Sequence, residues 1–149
     1  MTDEKQKPLY LRRPVNVQYK ISSPFGWRKD PIDPTQQQFH KGIDFAVPVG
    51  TPVKAMCEGE IFRAGYENPD NHEKGFGLRV WQESKIEGKT YYLWYGHLSE
   101  LKVEEGDFVH EGDIVGLSGN SGRTTGPHLH VQARLKNTGT LFNIEFYGS

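Results

Sequence analysis

The chain has 149 residues, a formal net charge of -1, and 25% charged residues. This length suits one domain with a hydrophobic core, and the balanced charge excludes a strong field that would attract nucleic acid or a membrane surface. Cys57 is the only cysteine, which excludes an internal disulfide and a cysteine-rich metal site. Seventeen glycines and nine prolines favour short strands and tight turns over long helices.

The first thirteen residues are mostly polar. We predict that residues 1–13 form a loose N-terminal arm and that residues 14–149 form a single domain. The first seven residues lack the apolar core of a signal peptide, and no run of about 18 apolar residues could span a membrane. We therefore expect either a protein that stays in the cytoplasm until it is released or a domain trimmed from a longer protein.

Two segments follow with different patterns. Apolar and polar residues alternate from Val15 to Ile21, which predicts a strand. Residues 22–34 contain three prolines and are predicted to form a loop, because proline interrupts regular hydrogen bonding.

The strongest strand signals lie in the middle of the chain. Residues 76–81 and 90–95 are rich in aromatic and β-branched residues, and Glu87-Gly88 between them predicts a hairpin. Short apolar runs bounded by glycine recur at residues 49–61 and 103–116. This weak repeat is typical of paired hairpins that close a sandwich or a barrel-like sheet.

His128 and His130 stand two residues apart. In an extended chain both side chains point to the same face, whereas Leu129 and Val131 point to the core. Two imidazoles side by side suit a metal site or a proton-transfer site. Two surface histidines in a hairpin would give the same pattern.

Two further candidates precede this pair. His40 and Asp44 lie four residues apart and share a face on a helix or on a strand, although Gly42 between them argues against a helix. They could equally be a surface histidine and a turn aspartate. His97 follows Gly96 at the expected end of a strand, from which it can project into a cleft or cap a turn.

These candidates together suit one kind of chemistry. Two histidines and one aspartate make three protein ligands and leave the fourth position of a zinc ion open, as in catalytic sites. The remaining histidines can then move protons or stabilise an oxyanion. The sequence therefore predicts metal-assisted hydrolysis.

Five segments of the chain form a further pattern: residues 39–45, 50–55, 95–98, 119–122 and 126–131. Together and in this order they resemble the lysostaphin/LytM-type zinc endopeptidases. The resemblance implies a mainly β, antiparallel sandwich or barrel-like fold (a duplicated hybrid motif) with an open groove and little helix. It implies cleavage of stem peptides or cross-bridges in bacterial peptidoglycan, outside the cytoplasm.

Carried over to this chain, the resemblance implies a role for each candidate. His40, Asp44 and His130 match the zinc ligands, and His97 and His128 match the catalytic histidines. His128 is then the expected general base, and His97 the group that assists the oxyanion or the departing amine, although the sequence leaves this division open. We expect a monomer, and a compact hydrolase without a leader also resembles a phage endolysin.

Other functions fit the pattern less well. A non-catalytic LytM-like regulator is an alternative, but all five site positions are filled. A non-haem iron oxygenase would use two histidines and a carboxylate, yet it would not explain His97. A lipoyl- or biotinyl-type carrier needs a lysine at a hairpin tip, and the setting of Lys54 suits this poorly. The bond that is cut stays open.

Overall fold

The computed structural model describes residues 6–30, 33–122, 124 and 126–148. Within these ranges the chain forms β-strands and no helix, which confirms the predicted mainly β class. These residues therefore include no helix that could cross a membrane. The strands are β1 (Leu9–Arg12), β2 (Ile21–Ser23), β3 (Gly26–Lys29), β4 (Gln37–His40), β5 (Ile43–Phe45), β6 (Pro52–Lys54), β7 (Gly59–Tyr66), β8 (Leu78–Ile86), β9 (Lys89–Leu101), β10 (Phe108–Val109), β11 (Ile114–Ser118), β12 (Leu129–Leu135), β13 (Leu141–Phe142) and β14 (Ile144–Tyr147).

The largest sheet contains the strands that carry the candidate site. Its path runs β10-β7-β8-β9-β12-β5-β2, and neighbours along this path are antiparallel. The predicted hairpin is confirmed: β8 and β9 pair directly on either side of Glu87 and Gly88. These two residues have φ angles of 50° and 82°, the left-handed conformation that a tight hairpin turn requires.

One face of the central strands covers the hydrophobic core. Along β12, Leu129, Val131 and Ala133 are fully buried and point to this side. The core also holds Tyr95, whose hydroxyl donates a hydrogen bond to the side-chain oxygen of Gln82 at 2.8 Å, so its polar end is satisfied. The alternate residues of β12 therefore lie on the opposite face.

The N-terminal segment differs from the predicted arm. β1 pairs in parallel with β14, and Leu9 and Leu11 are buried. Four alternating residues give too weak a local signal to predict a strand, and the partner strand lies at the other end of the sequence. The prediction of a loose arm is therefore wrong for residues 9–12, while residues 1–5 lie outside the described residues and the division at residue 13 stays a prediction.

The next two predictions are also corrected. The predicted strand from Val15 to Ile21 is mostly a turn, because the amide of Tyr19 donates to the carbonyl of Asn16 at 2.9 Å, and only Ile21 belongs to a strand. The predicted loop over residues 22–34 instead contains β3, which forms a hairpin with β4. The prolines flank this strand without interrupting it, and Pro31 lies outside the described residues.

Candidate active site

His40 and Asp44 lie on either side of a short connection between β4 and β5. Gly42 in this connection passes so close to β12 that a Cβ atom there would lie 2.2 Å from the carbonyl oxygen of Val131 and 2.7 Å from Nε2 of His130. A side chain at this position would therefore force the two segments apart. The close approach brings Nε2 of His40 to 3.3 Å from a carboxylate oxygen of Asp44.

The pairing of β5 with β12 brings His130 to the same point. Asp44 and His130 are direct partners in this pairing, and Nδ1 of His130 lies 2.7 Å from Oδ1 of Asp44. One ligand atom from each of His40, Asp44 and His130 lies within 4.8 Å of the other two. Two imidazole nitrogens and a carboxylate oxygen form a donor set that suits zinc.

The other nitrogen of each imidazole contacts an acceptor. Nδ1 of His40 lies 2.9 Å from the carbonyl oxygen of Pro24, and Nε2 of His130 lies 2.9 Å from Oε1 of Gln132. Because these oxygens can only accept, the outer nitrogen of each ring donates its proton to them, while the inner nitrogen can donate to Asp44. When the inner nitrogen loses its proton, the same outer contacts hold the tautomer that a metal ion needs, with the lone pair facing the cluster.

Asp44 is a strong acid in this setting. Burial pushes the pKa of its carboxyl upward, but the hydrogen bonds with His130 and His40 outweigh burial and hold the pKa well below its usual range. Asp44 is therefore a carboxylate at neutral pH, which is the form that binds a cation.

His128 stands beside this cluster at the start of β12. Its Nδ1 lies 2.8 Å from the carbonyl oxygen of Gly126, so the ring presents Nε2 to the site. That Nε2 lies 3.9 Å from Oδ1 of Asp44. His128 is thus next to the three-residue cluster, with a nitrogen that can accept a proton.

His97 completes the group from β9. Its ring centroid is 4.6 Å from that of His128, and its Nδ1 lies 2.7 Å from the carbonyl oxygen of Ser121. The backbone of His97 has a φ of 63°, a left-handed conformation that costs a non-glycine residue about 1 kcal/mol or more. His97 therefore lies at an irregularity within the strand, whereas the sequence places it at a strand end.

Burial sets the protonation state of His97. The pKa of the ring is lowered from 6.5 to about 4, mainly by burial and also by the neighbouring histidines His128 and His130, while the contact to Ser121 and the charge of Asp44 oppose the shift. His97 is therefore neutral at neutral pH.

The structure thus brings all five sequence candidates together, and their roles stay predictions. Sequence reasoning missed two residues that contact His130. Gln132 accepts from its Nε2, and the ring of Phe76 stacks on the imidazole with centroids 5.1 Å apart. Gln132 could have been found, because it lies two residues beyond His130 on the same face of an extended strand. Phe76 is far away in the sequence and gives no such signal.

Two histidines lie outside the site. His110 is exposed at a turn and contacts Asp113. The ring of His72, in the loop after β7, stacks on that of Tyr66 with centroids 3.5 Å apart.

Comparison with protein families gives one match over most of the chain. The profile of peptidase family M23 matches residues 38–142. This range contains His40, Asp44, His97, His128 and His130.

Two curated relatives illustrate the similarity in sequence. The DD-carboxypeptidase/endopeptidase Mpg of Neisseria meningitidis serogroup B is 39% identical over 137 residues, which cover 89% of this chain and 29% of that protein. The peptidoglycan DD-endopeptidase ShyA of Vibrio cholerae is 38% identical over 125 residues, which cover 83% of this chain and 26% of that protein. The chain therefore spans less than a third of the length of these relatives.

A solved structure shows the same arrangement of strands. The catalytic domain of lysostaphin from Staphylococcus simulans superposes with a TM-score of 0.70 at 34% sequence identity. The match covers 85% of this chain and 89% of that domain. The predicted lysostaphin-like fold is thereby confirmed, while the predicted open groove stays a prediction.

Proposed function

The chain belongs to peptidase family M23, and we propose that it is a zinc-dependent endopeptidase that hydrolyses peptide bonds in bacterial peptidoglycan. The observation that carries this proposal is the cluster of His40, Asp44 and His130, whose ligand atoms lie within 4.8 Å of one another. Two more histidines, His97 and His128, stand directly beside it. Three ligands and adjacent proton acceptors are what metal-assisted hydrolysis requires.

The ligands we propose are Nε2 of His40, the carboxylate of Asp44 and Nδ1 of His130. The other nitrogen of His40 contacts Pro24, and the other nitrogen of His130 contacts Gln132. These contacts support the choice of ligand atoms. A zinc ion held there would supply a Lewis acid that polarises the scissile carbonyl and makes water more acidic.

We assign proton transfer to His128 and His97. Each ring directs Nδ1 to a backbone carbonyl and therefore presents Nε2 as an acceptor. His128 is nearer to the ligands, so we assign it as the base that takes a proton from the attacking water. The water oxygen bonds to the carbonyl carbon, the carbon–nitrogen bond breaks, and the departing amine takes up the proton from His128. His97 would assist at the oxyanion or the amine in the form in which its Nε2 has taken up a proton.

We propose that the substrates are peptides of the cell wall and that the protein acts there as a monomer. Two relatives are named for the same chemistry: Mpg is a DD-carboxypeptidase/endopeptidase and ShyA a peptidoglycan DD-endopeptidase. The similarity covers most of this chain, which supports a related activity. A phage endolysin is one form such a protein could take.

Digestion of purified peptidoglycan tests the proposal. One wall should come from a Gram-negative source and one should contain glycine bridges, each digested with and without a chelator. We expect chelator-sensitive release of peptides with new amino ends, identified by mass spectrometry. The proposal fails if the zinc-loaded protein cleaves neither wall.

A further inference from the structure

The sheet face that carries the candidate metal ligands continues beyond them. Because side chains alternate along β12, His130, Gln132 and Arg134 lie on one face. The pairing of β12 with β9 puts Trp94 opposite Gln132 and Tyr92 opposite Arg134. Gln132 and Trp94 are buried, and Gly42 lies against Gln132. A molecule that extends from the metal cluster over this face would therefore next touch the exposed parts of Tyr92 and Arg134.

Four aromatic side chains form a continuous surface on this face, which we call the aromatic strip: Phe62, Trp81, Tyr92 and Trp94. The rings of Trp81 and Trp94 are stacked with centroids 5.0 Å apart, and the ring of Tyr92 lies 5.1 Å from that of Trp81. Phe62 extends the contact, with its centroid 4.9 Å from that of Trp81. Mutual contact holds these rings in place, and all but Trp94 are partly exposed.

Arg134 lies over this strip, and its charge has no carboxylate partner among the residues that the structure describes. Its guanidinium carbon is 4.9 Å from the ring centroid of Trp94 and 5.9 Å from that of Tyr92. Its neighbour on the same face, Lys136, is paired with Glu83 at 3.4 Å. Within the described part of the chain, by contrast, no carboxylate pairs with Arg134, which is only partly buried.

This setting prepares Arg134 to bind an anion. The guanidinium is planar and binds a carboxylate through two parallel hydrogen bonds. Contacts with the rings of Trp94 and Tyr92 restrict its side chain, so less entropy is lost when an anion binds.

The distance from the metal cluster defines the ligand. Arg134 is four residues beyond His130 on an extended strand, about 13 Å along it. An extended peptide covers this distance with about four residues. We propose that Arg134 on the aromatic strip is a subsite for a substrate carboxylate three or four residues from the scissile bond. This inference rests on the proposed function and selects anionic stem peptides over uncharged glycine bridges.

The test compares two synthetic cross-linked stem peptides, one with free carboxylates and one in which they are amides. The zinc-loaded protein should cleave the free-acid peptide with a kcat/KM roughly 10- to 100-fold higher, mostly through a lower KM. Arg134→Gln should remove this preference and Arg134→Lys should keep part of it. Arg63→Gln is the matched control, because Arg63 lies over Phe62 on β7, three strands from β12, and should leave the preference intact.

The outcomes separate this inference from the proposed function. If the wild type cleaves both peptides with equal kcat/KM, the subsite is overturned and the proposed function is not. The same holds if Arg134→Gln lowers kcat/KM by the same factor for both peptides. Cleavage of neither peptide overturns the proposed function and the subsite with it. If Arg134→Gln fails to fold, which thermal unfolding would show, the wild-type comparison of the two peptides decides.

Discussion

The two halves of the candidate site are held by different kinds of backbone. His40, Asp44 and His130, the ligand half, depend on the pairing of β5 with β12 and on the close approach at Gly42. His97 and His128, the proton-transfer half, depend on hydrogen bonds to carbonyl oxygens in the segment between β11 and β12. The comparison teaches that sheet register fixes the ligands, whereas irregular backbone fixes the groups that move protons.

The largest expected effect comes from breaking the ligand half. Asp44→Ala should lower kcat/KM by roughly 10³-fold or more, because the several kcal/mol that a metal ion contributes to the transition state are lost. Zinc content after dialysis, measured by mass spectrometry, should fall in parallel. An Asp44→Ala protein that keeps both its zinc and its activity would show that Asp44 is not a ligand.

Breaking the proton-transfer half should separate rate from metal binding. His128→Gln should lower kcat by about 10²- to 10⁴-fold, the usual contribution of a general base. Zinc affinity, measured by competition with a chromophoric chelator, should change only a few-fold because His128 is not among the proposed ligands. Full activity of this variant would remove the role we give to His128.

A smaller effect should follow from the contact that orients His130. Gln132→Leu removes the oxygen that accepts from Nε2 of His130, and such outer contacts typically contribute about 10- to 100-fold to metal affinity. Gln132→Glu keeps an acceptor at the same place and should retain most of the affinity. Equal zinc affinity of the leucine and glutamate variants, measured by titration, would contradict the orienting role.

The last effect is on folding, not on catalysis or metal binding, and concerns the pH dependence of stability. Folding lowers the pKa of His97 from 6.5 to about 4, so the unfolded chain takes up this proton first as the pH falls. The stability that neutral His97 contributes is therefore present above about pH 6.5 and lost toward pH 4, up to about 3 kcal/mol. Urea unfolding of the metal-free protein should show this decrease, and His97→Gln should show less of it. If the free energy of unfolding changes with pH identically in the wild type and in His97→Gln, the lowered pKa of His97 is refuted.

Much of this arrangement could be predicted because it depends on local spacing. The even spacing of His128 and His130 puts both side chains on one face of an extended chain, and Glu87-Gly88 marks the hairpin whatever surrounds it. The order of segments resembling known endopeptidases then connected residues far apart in the sequence, and peptidase family M23 matches that range.

The remainder depends on contacts that no local pattern contains. β1 finds its partner β14 at the other end of the chain, and β3 lies between prolines that suggested a loop. Phe76 reaches the ring of His130 because Gly96 leaves the space free: a Cβ atom there would lie 3.2 Å from Phe76. Such contacts follow from tertiary packing.

One measurement tests the central claim most directly: a crystal structure of the zinc-loaded protein with anomalous diffraction recorded at the zinc edge. We expect one strong anomalous peak about 2.0 to 2.2 Å from Nε2 of His40, the carboxylate of Asp44 and Nδ1 of His130. His97 and His128 should lie outside the coordination sphere with Nε2 directed toward it. A peak coordinated by His97 and His128 instead would reverse the two halves and contradict the account.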